Sequence, residues 1–96
     1  MEIKTKSGFK CKVNENKVKD WRYIRTSAHI AKSTDEIEVI EGVNFLMEFV
    51  LGDDYDRLLE HLAKDGVVES ATVIAEYKEI TNRIGEQLKK SSSSQE

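Results

Sequence analysis

The 96-residue sequence contains no proline, a single cysteine (Cys11), two histidines and only five glycines. Each scarcity removes a class of protein. One cysteine cannot form an internal disulfide, so the chain is expected in a reducing cytoplasm, with Cys11 a small inward-facing strand residue. His29 and His61 are accompanied by no Cys-x-x-Cys or His-Glu-x-x-His pattern, and a zinc site needs four clustered ligands. The glycines at 8, 42, 52, 66 and 85 are scattered one to an element or boundary, which leaves no loop to cradle a phosphate. No apolar run approaches the roughly 20 residues that span a bilayer, and the opening "MEIKTKSGFK" lacks the apolar core of a signal peptide. With no repeat and no break in composition, residues 1–90 form one domain with a single modest core. The polar tail "SSSSQE", residues 91–96, has nothing to bury and is expected to be disordered.

What the chain does contain is 39% hydrophobic and 34% charged residues, too apolar a mixture for a disordered protein. Its net charge of −3 is unevenly spread. Residues 1–32 carry +6, residues 33–66 carry −8 and residues 67–96 carry −1. A basic front and an acidic middle can attract within one chain or between copies. The same basic front keeps nucleic acid as a rival partner, although the overall balance is acidic and no recognition-helix arrangement is visible.

Alternation of apolar and polar residues around Ser7-Gly8 predicts a β-hairpin. Ile3 and Thr5 lie on one side of the turn and Phe9, Cys11 and Val13 on the other, with lysines outward. From Asn14 or Asn16 as N-cap, a helix is predicted through about residue 33. Val18, Trp21, Ile24, Ala28 and Ala31 form one stripe at 100° per residue. Tyr23 and Ile30, one heptad apart, form a second apolar face that either packs within the chain or serves a partner. Ser33 with Glu36 three residues later has the form of a capping box opening the next helix, which Gly52 ends as an αL C′ residue. Apolar residues occupy most of that helix's circumference, which makes it central to the fold or buried between copies. On it, Phe45 and Phe49 form an i, i+4 pair beside Gly42, either completing the core or meeting a partner. A short helix with Tyr55, Leu58, Leu59 and Leu62 inward runs to Gly66. A long one follows, with Ser70 as cap and Val73, Ile74, Tyr77, Ile80, Ile84 and Leu88 inward. The predicted class is therefore mostly helical α+β, a short N-terminal β-hairpin followed by about four helices.

Asp53, Asp54 and Asp56 invite comparison with a calcium loop. An EF-hand register demands oxygen ligands at alternating positions and a glycine at position 6. Counted from Asp54, those positions fall on Leu58 and Leu59; counted from Asp53, the third is Tyr55. The aspartates read better as helix-start residues facing free N–H groups and a positive dipole end. No catalytic, cofactor or metal residue is assigned, and the chain is not expected to be an enzyme. The partner-contact candidates are Tyr23, Ile30, Phe45 and Phe49.

Three stretches carry a family resemblance. "SGFKCKVNENKVKDW" has a strand after Ser-Gly-Phe and then a helix start leading to an Asp followed by a bulky residue, Asp20-Trp21. "FVLGDDYDRLLEHLAKDGVV" holds Leu51-Gly52, Tyr55, Leu58-Leu59, His61-Leu62 and Asp65-Gly66 in order. "AEYKEITNRIGE" supplies the closing amphipathic helix. Over residues 7–88 the chain resembles the tail assembly chaperones of long, non-contractile-tailed phages and prophages of Gram-positive bacteria. It departs from their pattern in the basic "RTSAHIAKST" segment, where more acidic residues are expected. The resemblance implies a small helical protein of the host cytoplasm, absent from the finished virion. Such a protein coats the tape measure protein and self-associates, and a frameshifted longer product recruits the tail tube protein. Lys89-Lys90 is where an A-rich slip site would be encoded. No membrane partner and no cofactor is implied.

Overall fold

The computed structural model describes residues 1–94, with side chains as far as Lys89. The alternating N-terminal pattern closes as expected. Strand β1 (Glu2–Lys4) pairs antiparallel with β2 (Lys10–Lys12), and Ile3 lies opposite Cys11. Thr5 N donates to Phe9 O and Gly8 N to Thr5 O, both at 3.0 Å. Gly8 sits at φ 92°, where a side chain would be strained. Ile3, Thr5, Phe9, Cys11 and Val13 are buried while the four hairpin lysines are exposed.

The helix expected from residue 14 to about 33 is two helices. Asn14 caps α1 (Glu15–Val18) by accepting from Asn16 N. Asp20 then adopts an extended backbone and caps α2 (Trp21–Lys32), accepting from Arg22 N at 2.7 Å. An aspartate that bonds its own downstream backbone competes with helix continuation, and here it restarts the helix in a new direction. Helix α3 (Glu36–Leu51) is capped by Asp35, whose carboxylate accepts from Ile37 N and Glu38 N. Ser33, expected to open a capping box, closes α2 instead, and its hydroxyl donates to Glu38 Oε2 at 2.9 Å. Gly52 ends α3 at φ 56°, ψ −125°, a glycine conformation outside the αL region expected. Helix α4 (Asp54–Leu62) begins with the aspartate cluster. A tight turn through Asp65 and Gly66, both at positive φ, leads to α5.

Helix α5 (Ser70–Ser94) carries a helical assignment through the four serines of the expected disordered tail, and Gln95 and Glu96 lie outside the described residues. The result is a mostly helical α+β domain with five helices among the described residues, the short α1 being the one not anticipated. Helix α3 touches α1, α2, α4 and α5, which buries Val43, Leu46, Met47, Val50 and Leu51 but leaves Ile37, Ile40 and Phe45 exposed. Leu46 and Met47 of α3, Leu58 of α4, Ile80 and Ile84 of α5 and Phe9 of the hairpin form the centre of the core. The hairpin is fastened to α5 by Glu76, whose buried carboxylate accepts from Thr5 Oγ1 at 2.6 Å and Ser7 Oγ at 2.9 Å. Lys6 N donates to Glu79 at 2.8 Å, so the turn is held at two successive positions.

Candidate protein-binding surfaces

Helix α2 presents two apolar faces, and the core takes the one with Tyr23. Tyr23 is only 9% exposed and Ile30 packs against the core. Burial pushes the Tyr23 phenol up from its ordinary value, as it does the Tyr77 phenol of α5. Ser27 Oγ is buried near both phenols without a well-formed hydrogen bond to either. Of the two roles left open for this face, packing within the chain or serving a partner, the fold favours the first: Tyr23 is buried in the core and Ile30 is half-buried against it. The reason lies on α3. Gly42 has no side chain, and a Cβ built there would stand 2.7 Å from Ile30 Cγ1. Close helix approach at Gly42 draws the Tyr23–Ile30 side of α2 inward.

Of the other stripe, Val18 on α1 is buried in the core, and the positions on α2 are left outside. Trp21 is 68% exposed and Ile24 47%, and Ala28 and Ala31 are exposed along the same side. These positions fall within about 80° of one another at 100° per residue. Large exposed apolar residues clustered on one face mark an interaction surface more often than chance placement does.

Phe45 and Phe49 stack on α3 with ring centroids 5.7 Å apart and planes 12° from parallel. Phe49 is half-buried, with the Arg22 guanidinium 5.0 Å and the Lys17 ammonium 5.5 Å from its ring centroid. Its π face is thus engaged by cations of the same chain. Phe45, at 40% exposure, remains open to solvent beside Arg25 and His29. Of the four candidate contact residues, Phe45 alone has a large outward surface.

A further surface, not singled out in the sequence, lies on the opposite side of α3. Ile40, Val43, Asn44, Tyr55, Val73 and Ile74 line an apolar groove of about 300 Å³ between α3 and α5. Tyr55 Oη donates to Asn44 Oδ1 at 2.9 Å, which fixes the wall contributed by α4. Ile37, one turn before Ile40 on α3, is 67% exposed. Ile40 is two residues from Gly42, about 200° around the helix, so the groove faces away from α2. The signal in the sequence was the excess of apolar positions on α3, more than one set of neighbours can cover.

The remaining chemical groups have local roles. His29 Nε2 lies 3.4 Å from Glu38 Oε2, joining α2 to α3. His61 Nε2 is 2.8 Å from Ser7 O, and its ring is 5.7 Å from Phe9. Arg57 donates to Lys10 O at 2.7 Å with its guanidinium 4.5 Å above the Phe9 ring. Burial pushes the Cys11 thiol up to about 11, which keeps it protonated and unreactive at neutral pH. Asp53 is the N-cap position of α4 and Asp54 and Asp56 lie in its first turn. Asp53 makes no side-chain cap bond, and Asp54 is 3.4 Å from Arg57. Among the described residues no group of three or more His, Cys, Asp or Glu is placed to hold a metal ion. No described helix is long and apolar enough to cross a membrane. The hairpin lysines 4, 10 and 12 share their face with Glu2 and Asp54, so the basic third of the chain is interrupted by acid where it is most concentrated. Comparison with family models, curated proteins and solved structures found no match for the chain.

Proposed function

We propose that this chain is a tail assembly chaperone of a long-tailed, non-contractile phage or prophage. It holds the tape measure protein soluble by apolar contact and self-association, without catalysis. The observation that carries the reading is the pair of exposed apolar surfaces, Trp21 with Ile24 on α2 and Ile37 with Ile40 on α3. A holdase for a long helical client needs such surfaces, since an amphipathic client helix buries its own stripe in a groove of this kind. The proposed setting is the host cytoplasm during tail morphogenesis, the protein being absent from the mature virion. Recruitment of the tail tube protein belongs to a frameshifted longer product.

Co-expression with the tape measure protein of the same genome tests the proposal. The expected outcome is a soluble client that co-purifies with the chaperone and precipitates without it. A tape measure protein that stays insoluble with this chain, or is equally soluble alone, would overturn it. Tight DNA binding with a steep salt dependence would replace it with the nucleic-acid reading.

A further inference from the structure

We infer that the outer edge of β2 takes an extended, acidic peptide segment of a partner protein as a third strand. The inference goes beyond the chaperone reading and stands without it. Hydrogen bonding in an antiparallel ladder alternates between bonded and non-bonded pairs. Met1 and Val13 bond each other in both directions and Thr5 N donates to Phe9 O, so the backbone groups of Lys10 and Lys12 point away from β1. Among the described residues one side chain hydrogen-bonds that edge, Arg57 at Lys10 O. The edge of β1 is taken up by α5, since Gln87 Nε2 donates to Glu2 O at 2.7 Å and Lys6 N donates to Glu79 at 2.8 Å. The open side of the sheet is therefore β2, and adding a strand to such an edge is a general mode of peptide recognition.

Charge selects the occupant. Lys4 lies directly opposite Lys10, and the Cβ atoms of such a pair are about 5 Å apart. Like charges set so close destabilise a hairpin, and among the described residues neither ammonium has an ion-pair partner. Lys12 faces Glu2, and Asp54 is 3.4 Å from Arg57. The uncompensated charge of the hairpin thus sits at Lys4 and Lys10, beside a cleft of about 690 Å³ that reaches the start of α4. In an added strand, residues two apart stand about 6.8 Å from each other on one face, which is the spacing of Lys10 and Lys12. Carboxylates at two alternate positions would meet both of these ammoniums and offset the repulsion between Lys4 and Lys10. Edge lysines discourage pairing with other strands, so the same charges restrict the edge to an acidic one. Glu2 and Asp54 also line the cleft and would repel the continuous phosphates of a nucleic acid, which favours a short acidic peptide.

A short peptide alternating threonine and glutamate, titrated into the full chain at low salt and followed by NMR, tests the inference. Saturable binding is expected, with shifted resonances and slowed hydrogen exchange at the Lys10 and Lys12 amides. The same peptide with glutamine in place of glutamate should not bind, and added salt should weaken the acidic one. The deciding variant is Lys4→Glu. It places a carboxylate of the chain itself beside Lys10, so the free protein should melt about 2–5 °C higher while binding the peptide about fivefold more weakly or worse. Lys10→Glu, which reverses the charge that meets the peptide directly, should weaken binding about tenfold or more. Circular dichroism confirms the fold of both variants, whose altered side chains are exposed. Absence of saturable binding, binding that leaves the Lys12 amide exchanging freely, or a Lys4→Glu protein that binds as wild type would each overturn the inference. Tighter binding of an oligothymidylate of equal charge would overturn it in favour of nucleic acid. None of these results bears on whether a client is held soluble.

Discussion

Gly42 shows how one missing side chain sets the packing of α2 on α3. In an isolated helix, alanine at this position would gain about 1 kcal/mol over glycine. Here the added Cβ would stand 2.7 Å from Ile30 Cγ1 and 3.0 Å from Cδ1. Ile30 is β-branched and stiff at χ1, and overpacking costs about 1–3 kcal/mol. Gly42→Ala is therefore expected to destabilise the protein by about 1 kcal/mol in urea unfolding. In an Ile30→Ala background the clash is gone, and the same substitution should stabilise by a similar amount. A stabilising Gly42→Ala in the wild-type background would remove the close-approach argument. Asp20 makes a second point at this scale. Hydrogen bonds from the Arg22 side chain and backbone hold its carboxyl down at about 2. A carboxyl depressed in the folded state contributes stability above its unfolded value, about 4, and loses it as pH falls toward the folded value. Asp20→Asn keeps the cap geometry but not the charge. The stability difference between wild type and Asp20→Asn should be constant above about pH 5 and shrink between about pH 4 and 2. A carboxyl resonance of Asp20 titrating near 4 would contradict the contact with Arg22.

At the scale of the element, α2 divides the readable from the unreadable. Its two apolar faces follow from 100° periodicity alone, and so does the inward set of the hairpin. Which face of α2 turns inward does not follow, because that choice is made by Gly42 on another helix and by Tyr77 on a third. The Trp21–Ile24–Ala28–Ala31 stripe is longer and contains tryptophan, and local sequence favours it as the core side. The interior instead takes Tyr23, whose partners are far away in sequence. The break before α2 escaped for a related reason: Asp20 is an ordinary polar position on a helical projection, and its capping role appears only once its backbone is extended. The α3–α5 groove was legible only as an excess, since ten apolar positions between Ile37 and Leu51 outnumber what a single-sided helix buries. A pair of alanine substitutions separates the faces. Tyr23→Ala should cost about 3 kcal/mol, in the range for deleting a buried aromatic. Trp21→Ala should change stability by less than about 0.5 kcal/mol, as exposed positions do. The reverse order in thermal or urea unfolding would mean that α2 packs by its other side.

For the molecule as a whole, the arrangement of charge and apolar surface matters more than any single group. The fold gathers its polar anchors, Glu76 with Thr5 and Ser7, and Arg57 with Lys10, where the hairpin meets α4 and α5. The α2 stripe and the α3–α5 groove are left to solvent on different sides of the helical layer. The chain contains one tryptophan, and that residue is the most exposed large apolar side chain on the surface, at 68%. It is a natural reporter of whatever covers α2. In dilute solution the indole should emit like tryptophan in water and be quenched freely by acrylamide. Self-association through α2 predicts a blue shift and loss of quenching as protein concentration rises, with no client added. A contact of the flanking Arg25 and Lys32 with an acidic surface would weaken as salt is raised and screening shortens, and the shift with it. Binding of a client helix to the groove alone would leave the Trp21 emission unchanged at any client concentration, whereas a client that competes for the α2 face would shift it at fixed chain concentration. An emission spectrum insensitive to concentration, salt and client together would show that Trp21 stays in water throughout, and the outer face of α2 would then be no interface at all.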